Sequence, residues 1–376
     1  MRLSLLRLLF ASPLLVACSE SSDRVSSCGH FAPDVPLVLL ASDLRSASAA
    51  AILGTDGCLV EVAAVELGYD PVLAADGGEV LVCARDRGTV VALGAGGAPL
   101  GPTLLRTYAA SSEGEEPPNP WAADVDSSGL AWIARYDLSS LGLAGPDGVL
   151  SASVSLAAFA DADGLPEASA LRVVEGEVVV ALESLDRTAG WVAAGPSMAV
   201  VVSRETRSVV ASFPLAGPNP FGPLAAAPSL GASALVIATP GVHDALEADA
   251  GITLVDVAAR SSTRLVSEEA LGGSALAARV VAKDEGYALV EGPVPGVNPT
   301  SLVRFDPATG VVGPTLGATD GFQLAGLAVT PRYVIVGDRS VSAPRLRFFE
   351  RATGAELGGV PLTLYPPLDL APLPGF

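Results

Sequence analysis

The chain predicts an all-β fold: a seven-bladed β-propeller of four-stranded antiparallel blades, closed by pairing of its N- and C-terminal strands. Three observations lead there. First, an apolar strand, a tight turn and another apolar strand recur seven times: "AAILGTDGCLVEVAAVEL", "TVVALGAGGAPLGPTLL", "LGLAGPDGVLSASVSL", "AVVVSRETRSVVASFPL", "GITLVDVAARSSTRLV", "LVRFDPATGVVGPTLG" and "LRFFERATGAELGGVPL". Second, most of these hairpins follow another pair of short strands, as in "PWAADVDSSGLAWIARY" and "ALRVVEGEVVVALES". Third, the two ends complement each other. "YPPLDLAPLPGF" reads as a first strand with no blade after it, and "VPLVLLASDL" as a second strand lacking a first.

Each element has a local cause. The turns "TDG", "PDG", "PATG" and "RATG" combine glycine, which accepts positive φ, with Asp or Thr, which bond their own backbone. Units of about four strands at roughly 40 to 60 residues are the spacing of blades. Ala and Gly dominate the first strand of each unit ("LAAD", "WAADV", "LAAAP", "LAGLAV"), as strands crowded around a central channel require. Helical patterning is confined to a turn or two in "HDALEADAG" and "SEEALGGSALAAR". No boundary divides residues 31–376, which form one domain.

The N-terminus has a different design. Arg2 and Arg7 precede a short apolar run ending in small residues, the layout of an export signal and too short for a mature membrane span. Leu15-Val16-Ala17-Cys18 then resembles the lipobox of bacterial lipoproteins. The resemblance implies a signal peptide over 1–17 and a lipid on Cys18, hence a membrane anchor. Ser19 after the cysteine is similar to the Gram-negative pattern that sorts to the outer membrane, with the periplasmic or surface face left open. Residues 18–30, small and polar, read as a flexible tether.

Composition narrows the partners. The net charge of -19 becomes more negative once Arg2 and Arg7 are removed, and so acidic a surface repels nucleic acid and anionic headgroups. With Cys18 lipidated, Cys28, Cys58 and Cys83 allow one disulfide. Cys28–Cys58 is the favoured pairing, pinning the arm to the first strands, with Cys58–Cys83 the alternative. His30 and His243 are the only histidines, and the cysteine spacing does not suit zinc.

The repeats "VRFDPATGVV", "LRFFERATGAEL" and "VVVSRETRSVV" resemble the seven-bladed propellers of the YVTN type. That resemblance implies a binding or scaffold module, acting as a monomer on an envelope protein or polysaccharide. Fold alone does not assign function. Residues 156–171 break the repeat. There Asp161, Asp163 and Glu167 suggest a calcium loop, although no acid occupies the twelfth position of an EF-hand; the structural alternative is a solvated interblade loop. Asn119-Pro120-Trp121 and Asn219-Pro220-Phe221 repeat an Asn-Pro-aromatic step. With Arg135, Tyr136, Glu183 and Arg187, which end neighbouring strands, they mark a candidate binding face. The structural alternatives are entry turns and rim salt bridges.

Catalysis finds little support in the sequence. There is no G-x-S-x-G elbow, and "GAGGAPLG" lacks the lysine and helix of a phosphate loop. The enzyme alternative is a calcium-dependent, lactonase-like hydrolase using channel acids such as Asp76, Asp124 and Asp126.

Overall fold

The computed structural model describes residues 24–373 apart from 75–79, 242–245, 294–298 and 322. Cys18, the signal segment, Asp76 and His243 lie outside the described residues. Seven antiparallel sheets form the ring. Blade 1 contains Leu37–Ser42, Ser48–Leu53 and Leu59–Ala63, with Pro367–Pro372 as its inner strand. The inner strands of blades 2 to 7 are Pro71–Leu73, Pro120–Val125, Ala168–Val174, Phe221–Ala226, Ser274–Ala282 and Leu324–Val329. All seven hairpins read from the sequence are the outer pairs of blades.

The ring closes as the termini predict. Leu37 stands opposite Pro372, Val38 opposite Ala371 and Leu39 opposite Leu370. An inner strand from the chain end thereby completes a blade begun at the chain start, which protects the edges of that sheet.

The residues of the middle strands are buried on both faces. In blade 4, Val178, Val180 and Leu182 point into the seam with blade 3, while Val179 and Ala181 point into the seam with blade 5. Period-2 alternation thus gives a continuous apolar run where both faces are covered. Among the described residues an apolar cluster fills each of the seven seams between adjacent blades. Small residues near the axis have a steric cause: a Cβ on Gly326 (φ +70°) would lie 2.8 Å from the Asp369 backbone of the neighbouring inner strand.

The arm corrects one expectation. Residues 24–30, read as part of a flexible tether, belong to the fold. Arg24–Ser27 is a fifth strand on blade 1, pairing with 59–62, and the His30 amide donates to the Gly57 carbonyl at 3.1 Å. Cys28 and Cys58 are disulfide-bonded across this junction, and Cys83 is a buried free thiol. A polar strand without an apolar face carries no pattern in sequence; backbone pairing and a covalent link hold it. No helix of the described residues is long and apolar enough to cross a membrane.

Candidate functional site: an aromatic cleft on the entry face of blades 3 to 5

The first strand of each blade starts, and the second ends, on one face of the ring. Three residues entering inner strands there share left-handed backbone: Asn119 (φ 43°), Glu167 (φ 46°) and Asn219 (φ 50°). Asparagine tolerates this conformation; glutamate does so at a cost. The Asn119 carbonyl accepts from the Tyr136 amide at 3.1 Å, and the Glu167 carbonyl accepts from the Glu183 amide at 3.1 Å. These bonds set Tyr136 and Glu183 on this face, Tyr136 beside Trp121.

Trp121, Tyr136, Glu183, Trp191, Asn219 and Phe221 line one cleft of about 390 Å³. Trp191 comes from a two-stranded hairpin, Leu185–Asp186 with Val192–Ala193, inserted between the second and third strands of blade 4. It is 53% exposed and itself has φ 66°. The rings alternate with guanidinium groups. Arg85 Cζ lies 3.6 Å from the Trp121 centroid, Trp121 and Tyr136 centroids are 4.5 Å apart, and Arg187 Cζ lies 5.1 Å from Tyr136 and 4.9 Å from Trp191. Arg85 is held by Asp70 (2.8 Å) and by Asn119 Oδ1 (3.0 Å), so Asn119 supports the cleft from behind Trp121.

Arg187 organises the acidic segment. Its Nη1 donates to Asp137 Oδ1 at 2.7 Å, its Nε to Glu167 Oε1 at 3.1 Å and its Nη2 to the Tyr136 carbonyl at 3.1 Å. Asp163 Oδ2 accepts from the Arg187 amide at 3.0 Å. Two acids of the expected calcium loop are engaged within the chain. Glu167 and Asp163 turn toward Arg187, which supplies the positive charge, and no group of three or more acid, His or Cys side chains converges as a metal site among the described residues. Arg135 departs from the expected binding face. It is 2% exposed, donates to Glu115 (2.9 Å) and the Ser140 carbonyl (3.1 Å), and clamps blade 3 without reaching the cleft.

Charge is crowded here. Burial pushes Glu183 up to about 8; the Tyr136 hydroxyl, which donates to it, opposes the shift, and Glu167 adds to it by repulsion. Burial likewise raises Glu167 to about 7, with Asp163 and Asp161 adding repulsion against the Leu185 amide and Arg187. Asp161 is raised by desolvation and by Asp163, and its Oδ2 is buried without a hydrogen-bond partner.

The channel acids have partners too. Asp124 Oδ2 accepts from the Val173 amide at 2.9 Å and lies 3.8 Å from Arg172 Nε. Asp126 accepts from Trp132 Nε1 at 3.1 Å and pairs with Arg204 at 3.3 Å, joining blades 3 and 4 on the opposite face. Sequence reasoning missed Trp191 and Arg85. The length of the segment between strands in blade 4 could have drawn attention to Trp191; nothing local distinguishes Arg85.

Similarity to known proteins stops at the fold. No protein-family model matches the chain, and no curated protein matches it. Solved structures that superpose include Citrobacter koseri AztD (TM-score 0.53, 13% identity, 89% of this chain and 96% of that one). A Bacteroides fragilis protein carrying a provisional 6-phosphogluconolactonase label superposes at TM-score 0.55 and 12% identity, over 89% and 97% of the two chains. The dihydro-heme d1 dehydrogenase NirN does so at TM-score 0.52 and 13% identity, over 92% and 79%. At this identity they share an architecture: the chain is a seven-bladed β-propeller.

Proposed function

We propose that the chain is an exported lipoprotein, anchored through Cys18 in the outer membrane, whose propeller is a non-catalytic binding module taking its partner in the cleft of blades 3 to 5. The observation that carries this reading is the convergence of four rings, from blade 3, the inserted hairpin and blade 5, on one open cavity. Tether geometry agrees with it. The fold begins at Arg24, six residues beyond Cys18, a reach of at most about 20 Å. Arg24 lies at the outer edge of blade 1, and blades 4 and 5 stand across the ring from it, so the anchor attaches at a distance from the residues that line the cleft.

The test is made in cells. A photo-crosslinking residue replaces Trp191 in the full chain, with the same residue at the exposed Val311 of blade 6 as control, beside labelled-palmitate incorporation into the chain and into Cys18→Ser. Lipid label that depends on Cys18 and a discrete envelope adduct from position 191 alone are expected. Label independent of Cys18, or identical adducts from both positions, would sink the proposal.

A further inference from the structure

We infer, resting on the cleft as the binding site, that its ligand carries an organic ammonium group, a small amine or quaternary ammonium held between the aromatic rings and the carboxylates of the cleft. The cavity of about 390 Å³ is of the size that holds a small organic molecule. Two of the chain's three tryptophans line it, with Tyr136 and Phe221. Aromatic faces carry negative potential and attract cations, most strongly where water is excluded.

The polar groups select the sign of the ligand. Two side-chain donors of the cleft are already engaged: Asn219 Nδ2 donates to the Gly241 carbonyl at 2.7 Å, and the Tyr136 hydroxyl donates to Glu183. Both nearby guanidinium groups already face carboxylates, Arg85 that of Asp70, Arg187 those of Asp137 and Glu167. An anion would find no guanidinium there that lacks a carboxylate partner. Acceptors remain. Glu183 and Glu247 both line the cavity, and no ion pair of the described residues involves either; Glu183, raised to about 8 by burial, offers acceptor oxygens but not a full negative charge at neutral pH. The one arginine beside them is outnumbered by Asp137, Asp163 and Glu167. Acceptor oxygens and π-faces together complement a group that is positive and donates or is alkylated.

The experiment uses the full chain purified in detergent, titrated with choline, with cadaverine, and with 3,3-dimethylbutan-1-ol, the uncharged carbon isostere of choline. Binding is read by tryptophan fluorescence and calorimetry. Saturable binding of at least one ammonium compound is expected, with the isostere weaker than choline by about tenfold or more if the quaternary compound is the better ligand. Trp191→Ala and the isosteric Glu247→Gln, each checked for an unchanged melting profile at the assay pH, should each weaken it several-fold. Equal or tighter binding of the isostere would show an apolar pocket and overturn the assignment, as would no saturable binding of either ammonium at millimolar concentration. The two readings separate cleanly. Envelope adducts from position 191 together with no ammonium binding would overturn only the ligand class, whereas loss of the adducts would overturn the binding-module reading itself.

Discussion

In the seam where the ring closes, Phe31 stands edge-on to Tyr333 at 5.1 Å between centroids and lies 4.7 Å from Phe348. These rings belong to, or pack on, an apolar cluster of blades 7 and 1. Beside them Glu61, 1% exposed, accepts from the Thr363 hydroxyl (2.6 Å) and from the amides of Thr363 and Leu364 (3.0 and 3.1 Å). On the entry face of blades 3 to 5 the rings are as close, 4.5 Å for Trp121 and Tyr136. There the rings meet guanidinium groups and open space, and the carboxylates crowd around one arginine. The two regions teach that residue type does not separate structure from function. A carboxylate met by several fixed donors finishes the fold. Carboxylates that outnumber their donors and push one another's protons on leave an interaction unfinished.

The comparison can be broken from either side. The largest expected effect is at the closure. Cys28→Ser opens a loop with a sequence separation of 30, which predicts a loss of about 3–4 kcal/mol in denaturant unfolding. Arg187→Met comes next. It leaves the fully buried Glu167 without its cation, and a loss of about 3 kcal/mol is expected at neutral pH, shrinking in acid as the carboxyls protonate. Glu61→Ala strips three donors of their acceptor and should cost about 2 kcal/mol, whereas Glu183→Gln, which keeps an acceptor for Tyr136, should cost less than about 1 kcal/mol at pH 6.

A pH series sharpens the contrast. Glu183 and Glu167 have folded values raised to about 8 and about 7, above their unfolded values, so the folded state holds more protons across that interval. Their contribution to stability is fully present below about pH 4.5 and is lost as pH rises through 7 to 8, with a slope of at most about 1.4 kcal/mol per pH unit for each proton. Melting temperature should therefore decline from pH 5 to pH 8, and Glu183→Gln should flatten part of that decline. A slope unchanged in Glu183→Gln would show that this carboxyl is not the titrating group. The smallest effect is at Trp191. Truncation to Ala at an exposed hairpin tip should leave unfolding within about 0.5 kcal/mol of the parent, and a larger loss would assign the ring to structure.

Part of the site was legible before any coordinates. The repeated Asn-Pro-aromatic steps marked Asn119, Trp121, Asn219 and Phe221, because a left-handed entry turn has a chemical signature in asparagine followed by proline. Tyr136 and Glu183 were visible as strand-end residues. Arg135 was misread because its position in sequence does not show which way the side chain leaves the strand. The partners of the acidic run 161–167 were hidden for a related reason. The cation that pairs with Glu167, Arg187, stands 20 residues from it, and its other partner, Asp137, stands 50 residues from Arg187.

The sequence by itself determined the number of blades, the hairpins and the closure of the ring by its two ends. Those features rest on strand alternation and turn chemistry, which act over a few residues and repeat. Tertiary structure alone decided that residues 24–27 pair as a fifth strand, that Arg187 pairs with Asp137 and Glu167, and that Arg85, Trp121, Tyr136, Arg187 and Trp191 form one stack. These depend on how far the ring rotates from blade to blade, a distance no local pattern encodes.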